Sequence, residues 1–267
     1  NRYLWVSTTN GLICCNLHSG SCRNYSTDLH DPFSLSDSYI TDVYRDKKGG
    51  LWVGSQYGGL NHYSPYHDNF RKVYSLDDGN TLDGAIVRDF AEDKWGNIWV
   101  ATERMGLLRY TGEKLASAGR DLPKSVLAVA DDMDCLWIGS QKGISRLDYD
   151  TFKVTDYRPF TDDDRDNRVI TIYRSQSGTI FVATTMGVLR YGRNTDRFEL
   201  LENLGNITFE YMTEDSVGVL WLASYSSGVF SYDAVNDVVL SHYSPQTGSR
   251  SIFLGPGDHV LGCVHME

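Results

Sequence analysis

The residues that could act as nucleophiles in this sequence occur at repeated positions rather than in one place. A hydroxyl stands three positions after a large aromatic residue in six copies: Thr8, Ser55, Thr102, Ser140, Thr184 and Ser224. A catalytic centre uses one nucleophile, so six equivalent hydroxyls indicate structural hydrogen bonding. An aspartate or serine stands six positions before the aromatic at Asp46, Asp93, Asp131, Ser175 and Asp215. We expect it to form a turn with the following glycine.

Other patterns that could bind a metal or catalyse a reaction are incomplete. Residues 162–166 place carboxylates at alternate positions, as a calcium loop does, but no glycine follows Asp166 and Tyr173 stands where the bidentate glutamate should be. These features favour a solvated connection. His62 and His67 flank a turn, and we expect no metal there. Motifs of zinc proteases, serine hydrolases, dinucleotide-binding proteins and P-loops are missing from the sequence. We therefore expect no catalytic residue, metal or cofactor.

The element that must position these residues is a short segment that occurs six times. Its copies read LWVST before Gly11, LWVGS before Gly59, IWVAT before Gly106, LWIGS before Gly143, IFVAT before Gly187 and LWLAS before Gly228. A repeat of about 40 residues, divided by turn residues into four short strands, is typical of a propeller blade. The sequence therefore predicts an all-β fold, a β-propeller of four-stranded antiparallel blades.

The alternation of side chains within the segment predicts how blades pack. In LWVGS, Trp52 and Gly54 point to one face of the strand. An aromatic residue and a small residue two positions later recur in all six copies. We expect each ring to lie beside a small neighbour so that adjacent blades interdigitate.

The two ends of the sequence suggest how the propeller closes. The first residues supply three strands and the last residues supply one, at Leu4–Thr8, Leu12–Leu17, Cys22–Tyr25 and His259–Met266. Pairing of these N- and C-terminal strands would close a ring of six blades and remove exposed sheet edges. A seventh blade is the alternative if the chain is cut short. We expect residues 1–267 to form a single propeller domain, a fragment of a larger protein.

Composition excludes some partners. The chain has 267 residues and a formal net charge of -10, which would repel a nucleic-acid backbone. No run approaches the roughly 18 apolar residues that span a bilayer, so we expect no direct membrane insertion of this fragment. The five cysteines form no CxxC pair. Buried free thiols are favoured over a disulfide from Cys14 or Cys15 to Cys22.

The third copy carries a resemblance to a known family. Residues 93–102, DKWGNIWVAT, followed by residues 106–110, GLLRY, resemble the two-component regulator propeller repeat. That repeat has the form D-x-x-G-x-(L/I)-W-(I/V)-(G/A)-T, then G-(L/V)-x-R-(Y/F). The departures are Phe181 in place of tryptophan and Asp134 in place of the turn glycine.

The resemblance implies a sensory function. Tandem copies of this repeat build the extracytoplasmic sensor of bacterial hybrid two-component systems, many of which respond to oligosaccharides released from glycans. It implies a periplasmic location, neighbouring propeller and β-sandwich domains, and a homodimer in the full-length receptor. The histidine kinase would lie elsewhere in that receptor, so we expect this domain not to be an enzyme.

Binding residues are expected where the copies differ, chiefly in the turn between the second and third strands of each blade. Tyrosine rings stack on sugar faces, while arginine, glutamate and glutamine pair with hydroxyl or acidic groups. The candidates are Tyr39, Gln56, Tyr57, Glu103, Arg104, Gln141, Lys142, Arg168 and Tyr225. Arg104, Lys142 and Arg168 would suit an anionic sugar.

Two other functions remain open at this point. A propeller lyase or glycosidase would need convergent acid and base groups in the central channel, and the sequence shows no obvious carboxylate pair or histidine cluster for that purpose. A scaffold that binds only protein would need a large apolar patch and would not respond to small molecules.

Overall fold

The computed structural model describes residues 3–64, 69–73, 76–82, 84–119, 121–160, 167–243, 252–254 and 260–263. These residues form 25 β-strands and a short 3-10 helix at Glu202–Leu204. No helix among them is long and apolar enough to cross a lipid bilayer. The chain divides into two compact units, residues 1–126 and 127–267.

The first unit contains three antiparallel sheets, each formed by strands that follow one another in sequence. One sheet has three strands: β1 (Tyr3–Thr8), β2 (Gly11–Asn16) and β3 (Cys22–Tyr25). The next has four: β4 (Ile40–Arg45), β5 (Leu51–Ser55), β6 (Leu60–Ser64) and β7 (Asn69–Val73). The third also has four: β8 (Ile86–Glu92), β9 (Ile98–Glu103), β10 (Gly106–Tyr110) and β11 (Leu115–Ser117).

The second unit repeats this pattern in three four-stranded sheets and adds a two-stranded one. The first, which starts at the unit boundary, consists of β12 (Val126–Asp132), β13 (Cys135–Ser140), β14 (Gly143–Asp148) and β15 (Val154–Tyr157). The second consists of β16 (Val169–Arg174), β17 (Ile180–Thr184), β18 (Gly187–Gly192) and β19 (Arg197–Leu200). The third consists of β20 (Tyr211–Glu214), β21 (Leu220–Ser224), β22 (Gly228–Asp233) and β23 (Val238–Tyr243), and the last of β24 (Ile252–Leu254) and β25 (Val260–Cys263).

These sheets confirm the predicted all-β propeller with six blades. One strand prediction was wrong. The last residues were expected to supply a single strand, but they supply two, β24 and β25, which pair with each other. Closure of the ring by the two termini stays a prediction, as does the single-domain assignment.

The interdigitation of large and small residues is confirmed within each unit. In the first unit Trp52 is 2% exposed, and a Cβ built on Gly54 would lie 2.5 Å from Cγ1 of Val87 in the next blade. In the second unit Gly139 lies against Val169 in the same way. A methyl group at either glycine would collide with a β-branched side chain, so the close approach of blades requires the small residue.

The six repeated hydroxyls are hydrogen-bonded, as predicted. In five copies the hydroxyl donates to the carbonyl of the glycine at the end of the turn that follows its strand; the distances lie between 2.7 and 3.1 Å. In the sixth, Ser224 accepts the backbone N–H of Ser227 at 3.2 Å. Each hydroxyl therefore closes the turn that joins its strand to the next one, which is a structural role.

The repeated aspartate caps a turn and holds the buried tryptophan. Oδ1 of Asp93 accepts the backbone N–H of Asn97 at 2.9 Å, and Oδ2 accepts Nε1 of Trp99 at 3.0 Å. Asp46 and Asp215 do the same for their own tryptophans. In the fifth copy the side chain of Phe181 has no N–H that needs an acceptor. Ser175 stands in place of the aspartate, and its Oγ caps the turn by accepting the backbone N–H of Thr179.

The fourth copy differs from the others in the partner of its tryptophan. Nε1 of Trp137 donates to Oδ2 of Asp132 at 3.3 Å, and not to Asp131. The turn lacks the glycine found in the other copies, and the N–H of Asp134 donates to the carbonyl of Asp132 at 2.7 Å. Asp131, at the predicted turn position, accepts the N–H of Met133 at 3.4 Å and the hydroxyl of Tyr149 at 2.8 Å.

The preference for free thiols was wrong for two cysteines. Cys15 and Cys22 face each other in the register of β2 and β3 and form a disulfide. Cys14 and Cys135 are free and half-buried. Burial raises the pKa of the Cys135 thiol to about 12, so it stays protonated at neutral pH.

Candidate functional site

The candidate binding residues lie at one end of each blade. Because consecutive strands are antiparallel, the turn between the second and third strands lies at the end opposite the turn that holds the capping aspartate. The predicted residues occupy these turns or the segments next to the start of the first strand. Five belong to the first unit, Tyr39, Gln56, Tyr57, Glu103 and Arg104; four belong to the second, Gln141, Lys142, Arg168 and Tyr225.

In the second blade the structure brings two tyrosines together through a shared carboxylate. Oδ1 of Asp37 accepts the backbone N–H of Tyr39 at 3.1 Å, and Oδ2 accepts the backbone N–H of Tyr57 at 2.9 Å. The N–H of Gln56 donates to the carbonyl of Tyr39 at 2.9 Å. Tyr39 and Tyr57 are 37% and 66% exposed. The backbone is therefore fixed while two aromatic side chains remain accessible for stacking.

In the third blade, Glu103 is engaged by a neighbouring cation. Its Oε1 accepts Nε of Arg88 at 2.7 Å. The adjacent Arg104 is exposed and has a φ of 76°, in the left-handed region that ordinary residues avoid. Within the described part of the first unit, no hydrogen bond or ion pair joins Glu103 or Arg104 to Tyr39 or Tyr57.

In the second unit the predicted residues are held through their backbones. The N–H of Lys142 donates to the hydroxyl of Ser140 at 3.1 Å, and the carbonyl of Arg168 accepts the N–H of Thr185 at 3.2 Å. The N–H of Tyr225 donates to Oε2 of Glu210 at 2.8 Å. The side chains of Gln141, Lys142, Arg168 and Tyr225 are exposed.

Three acidic residues of these regions were missed in the sequence. Asp37 makes an Asx turn with the residue two positions later, a pattern that could have been recognised locally. The contact between Glu210 and Tyr225 spans 15 positions and leaves no local signal. Asp42 lies on inner strand β4 opposite Gly54, and burial raises its pKa to about 7, although the N–H of Val43 partly offsets this effect. A carboxyl that titrates near neutral pH suits acid–base chemistry.

Within the described residues there is no candidate metal site. No group of three or more histidine, cysteine or carboxylate side chains in this part of the chain could hold an ion. His62 instead packs on Trp52, with ring centroids 4.4 Å apart, and its Nε2 lies 3.7 Å from Oδ2 of Asp46. His67 and residues 162–166, the calcium-loop pattern, lie outside the described residues.

The fold and the exposed turns define a repeat protein of the β-propeller class. Two segments, residues 34–57 and 81–104, match the two component regulator propeller model. These segments include Tyr39, Tyr57, Glu103 and Arg104. No curated protein matches the sequence.

Solved structures share the fold. The extracellular domain of a hybrid two component system from B. thetaiotaomicron has a TM-score of 0.80 and 21% identity over 97% of this chain. This chain spans 36% of that domain's length. The structure of virginiamycin B lyase from Staphylococcus aureus has a TM-score of 0.70 to this chain, and the structure of its inactive variant with quinupristin has a TM-score of 0.71. The identities are 14% and 12%, and each alignment covers 94% of this chain and 84% or 87% of the lyase. At these identities the likeness concerns the fold alone.

Proposed function

We propose that this propeller is a periplasmic ligand-sensing domain of a hybrid two-component receptor and that its ligands are oligosaccharides. The observation that carries the proposal is the match of two repeats to the regulator propeller family, together with exposed turn residues that differ from copy to copy. The disulfide between Cys15 and Cys22 supports a location in an oxidising compartment.

The ligand would act by binding, with no catalytic step in this domain. Tyr39 and Tyr57 would stack on a sugar ring, and Arg104 would contact hydroxyl or acidic groups at the neighbouring blade. Because binding favours one arrangement of the receptor subunits over another, it would shift the population that signals. The proposed partners are the neighbouring propeller and sandwich domains and a second copy of the receptor.

A thermal-shift screen against neutral and acidic oligosaccharides tests this function, with the domain alone and with the whole extracytoplasmic region. A ligand at about 100 times its dissociation constant stabilises the native state by about 2.7 kcal/mol. For a domain of this size we expect the melting temperature to rise by roughly 5–10 °C.

Matched variants locate the site. Tyr57→Ala should abolish the shift, whereas Trp95→Ala, which removes an exposed ring at the opposite end of a blade, should retain it. A shift only in the larger region would place the site at a domain boundary. No shift in either preparation would contradict the proposal and favour a protein-binding scaffold.

The enzyme alternative has one feature in its favour, the burial of Asp42 on β4, which raises the pKa of its carboxyl to about 7. Product analysis after incubation with glycans tests it directly. Turnover by the wild-type domain that is lost in Asp42→Asn would establish an enzyme and displace the sensory proposal.

A further inference from the structure

A cavity of about 280 Å³ lies at the outer edge of the first unit, away from the candidate turns. It is lined by outermost strand β7 of the second blade, by the segment around Leu76, and by β10, β11 and the turn between them in the third blade. None of the nine candidate binding residues contributes to its lining. The cavity is therefore a separate feature from the proposed sensing surface.

The floor of the cavity is apolar and preformed. Leu76 and Leu115 are 6% and 2% exposed and belong to the hydrophobic core, against which Val73 and the ring of Tyr110 pack. The N–H of Asp77 donates to the carbonyl of Leu115 at 2.9 Å, which fastens the connecting segment to β11. The hydroxyl of Tyr110 donates to the carbonyl of Gly112 at 2.7 Å, so its ring is held in place. A ligand would not need to order these elements on binding.

Positive charge predominates in the lining. Arg71, Lys72 and Lys114 line the cavity together with the exposed carboxylates of Asp77 and Glu113, in a chain whose net charge is -10. None of the three basic side chains forms an ion pair with a described residue. Some other basic residues of the described chain do have such partners, for example Lys47 with Glu92 at 3.9 Å and Arg174 with Asp132 at 2.9 Å.

Arg71 lies beside His62, its partner in the register of β6 and β7. Burial lowers the pKa of His62, the Asp46 carboxylate opposes this effect, and the positive charge of Arg71 adds a small further lowering. Arg71 is exposed at the cavity, where a bound anion can reach its guanidinium.

We propose that this cavity binds a small carboxylate carried on a single ring. Arginine and lysine would pair with the carboxylate, and the arginine fork can do so through two hydrogen bonds. Tyr110 and the leucine floor would contact the face of the ring. The volume lies just below the usual range of about 300–1,000 Å³ for ligand pockets, so it admits one ring rather than an oligosaccharide.

Calorimetric titration with sodium glucuronate and sodium benzoate tests the site, with glucose and benzyl alcohol as neutral counterparts and inorganic phosphate as a bare anion. We expect saturable binding of at least one carboxylate, weaker binding of its neutral counterpart and of phosphate, and backbone NMR shifts at Arg71–Val73 and Leu115. Arg71→Gln combined with Lys114→Gln should weaken binding by at least about tenfold, since two charged contacts are lost.

The controls separate this site from the sensing surface. Lys48→Gln combined with Lys124→Gln removes the same charge from exposed positions outside the cavity and should leave the affinity unchanged. Tyr57→Ala should also leave it unchanged. The proposal is overturned if neither carboxylate binds saturably, if glucose, benzyl alcohol or phosphate binds as well, or if the control pair loses affinity equally. Failure of the oligosaccharide screen would leave these outcomes unaffected.

Discussion

The pairing of a capping residue with its aromatic partner can be tested in the third blade. Asp93 and Trp99 are 1% and 2% exposed, and the indole N–H donates to the carboxylate at 3.0 Å. Asp93→Ser would leave that N–H buried without its acceptor, at a cost of about 1–3 kcal/mol. Trp99→Phe would remove the donor but leave a void, at a cost of roughly 1–3 kcal/mol.

The double variant reproduces the combination found naturally in the fifth blade, Ser175 with Phe181. Serine can still cap the turn there, since Oγ of Ser175 accepts the N–H of Thr179 at 2.9 Å. With neither the indole N–H nor the carboxylate present, the double variant leaves no indole donor buried without an acceptor; the loss of the bond from Nδ2 of Asn97 to Oδ2 of Asp93 is common to Asp93→Ser and the double variant. We therefore expect the double variant to be more stable than the sum of the single changes predicts, by about 1–2 kcal/mol.

Urea unfolding of the four proteins, followed by fluorescence and circular dichroism, measures this coupling. The control cycle combines Asp93→Ser with Trp137→Phe, whose indole bonds to Asp132 instead. Distant changes add within about 0.5 kcal/mol. If the cycle of Asp93 and Trp99 is also additive within that limit, the hydrogen bond does not explain why serine accompanies phenylalanine.

Three further outcomes are expected. Reduction of the Cys15–Cys22 disulfide should lower the free energy of unfolding by about 2 kcal/mol, and a double serine variant should melt at the same temperature with and without reductant. Asp132→Asn should cost roughly 2 kcal/mol at pH 7, because the carboxylate accepts hydrogen bonds from Arg193 and two other side chains. Burial raises the pKa of Asp132, but the hydrogen bonds outweigh burial, and the pKa in the folded state is lowered. The stabilisation that the bonds provide is therefore fully present above about pH 4, and it is lost as the pH falls through the lowered pKa. The difference between the two proteins in acid unfolding should accordingly shrink below that pH. His62 has a lowered pKa, chiefly through burial, so the unfolded state takes up its proton first and stability falls as the pH drops below about 6.5. His62→Gln should flatten this part of the profile of melting temperature against pH, and an unchanged profile would contradict the assignment.

The repeated features were predictable from the sequence because they depend on local rules. Alternation along LWVGS assigns Trp52 and Gly54 to one face of a strand without knowledge of the rest of the chain. The six equivalent hydroxyls could be assigned a structural role because an active site does not use six nucleophiles. The Asx turn at Asp37 is equally local, since it joins residues two positions apart.

The structure departs from the local pattern where a difference of one residue or a distant partner decides the contact. In the fourth blade Trp137 bonds to Asp132, one position after the repeated aspartate that holds the tryptophan in three other blades. The disulfide depended on the register of β2 and β3, which places Cys15 opposite Cys22. The spacing of the cysteines alone did not specify that register.

The sequence by itself determined the all-β class, the number of blades and the side chains that fill the spaces between them, since strand periodicity and turn residues act over a few positions. Only the tertiary structure decided which polar groups meet. Asp132 contacts Arg193, 61 positions away, and the cavity basic residues lie on two successive blades. The folding of strands into blades brings such residues together, and no local pattern of the sequence records their proximity.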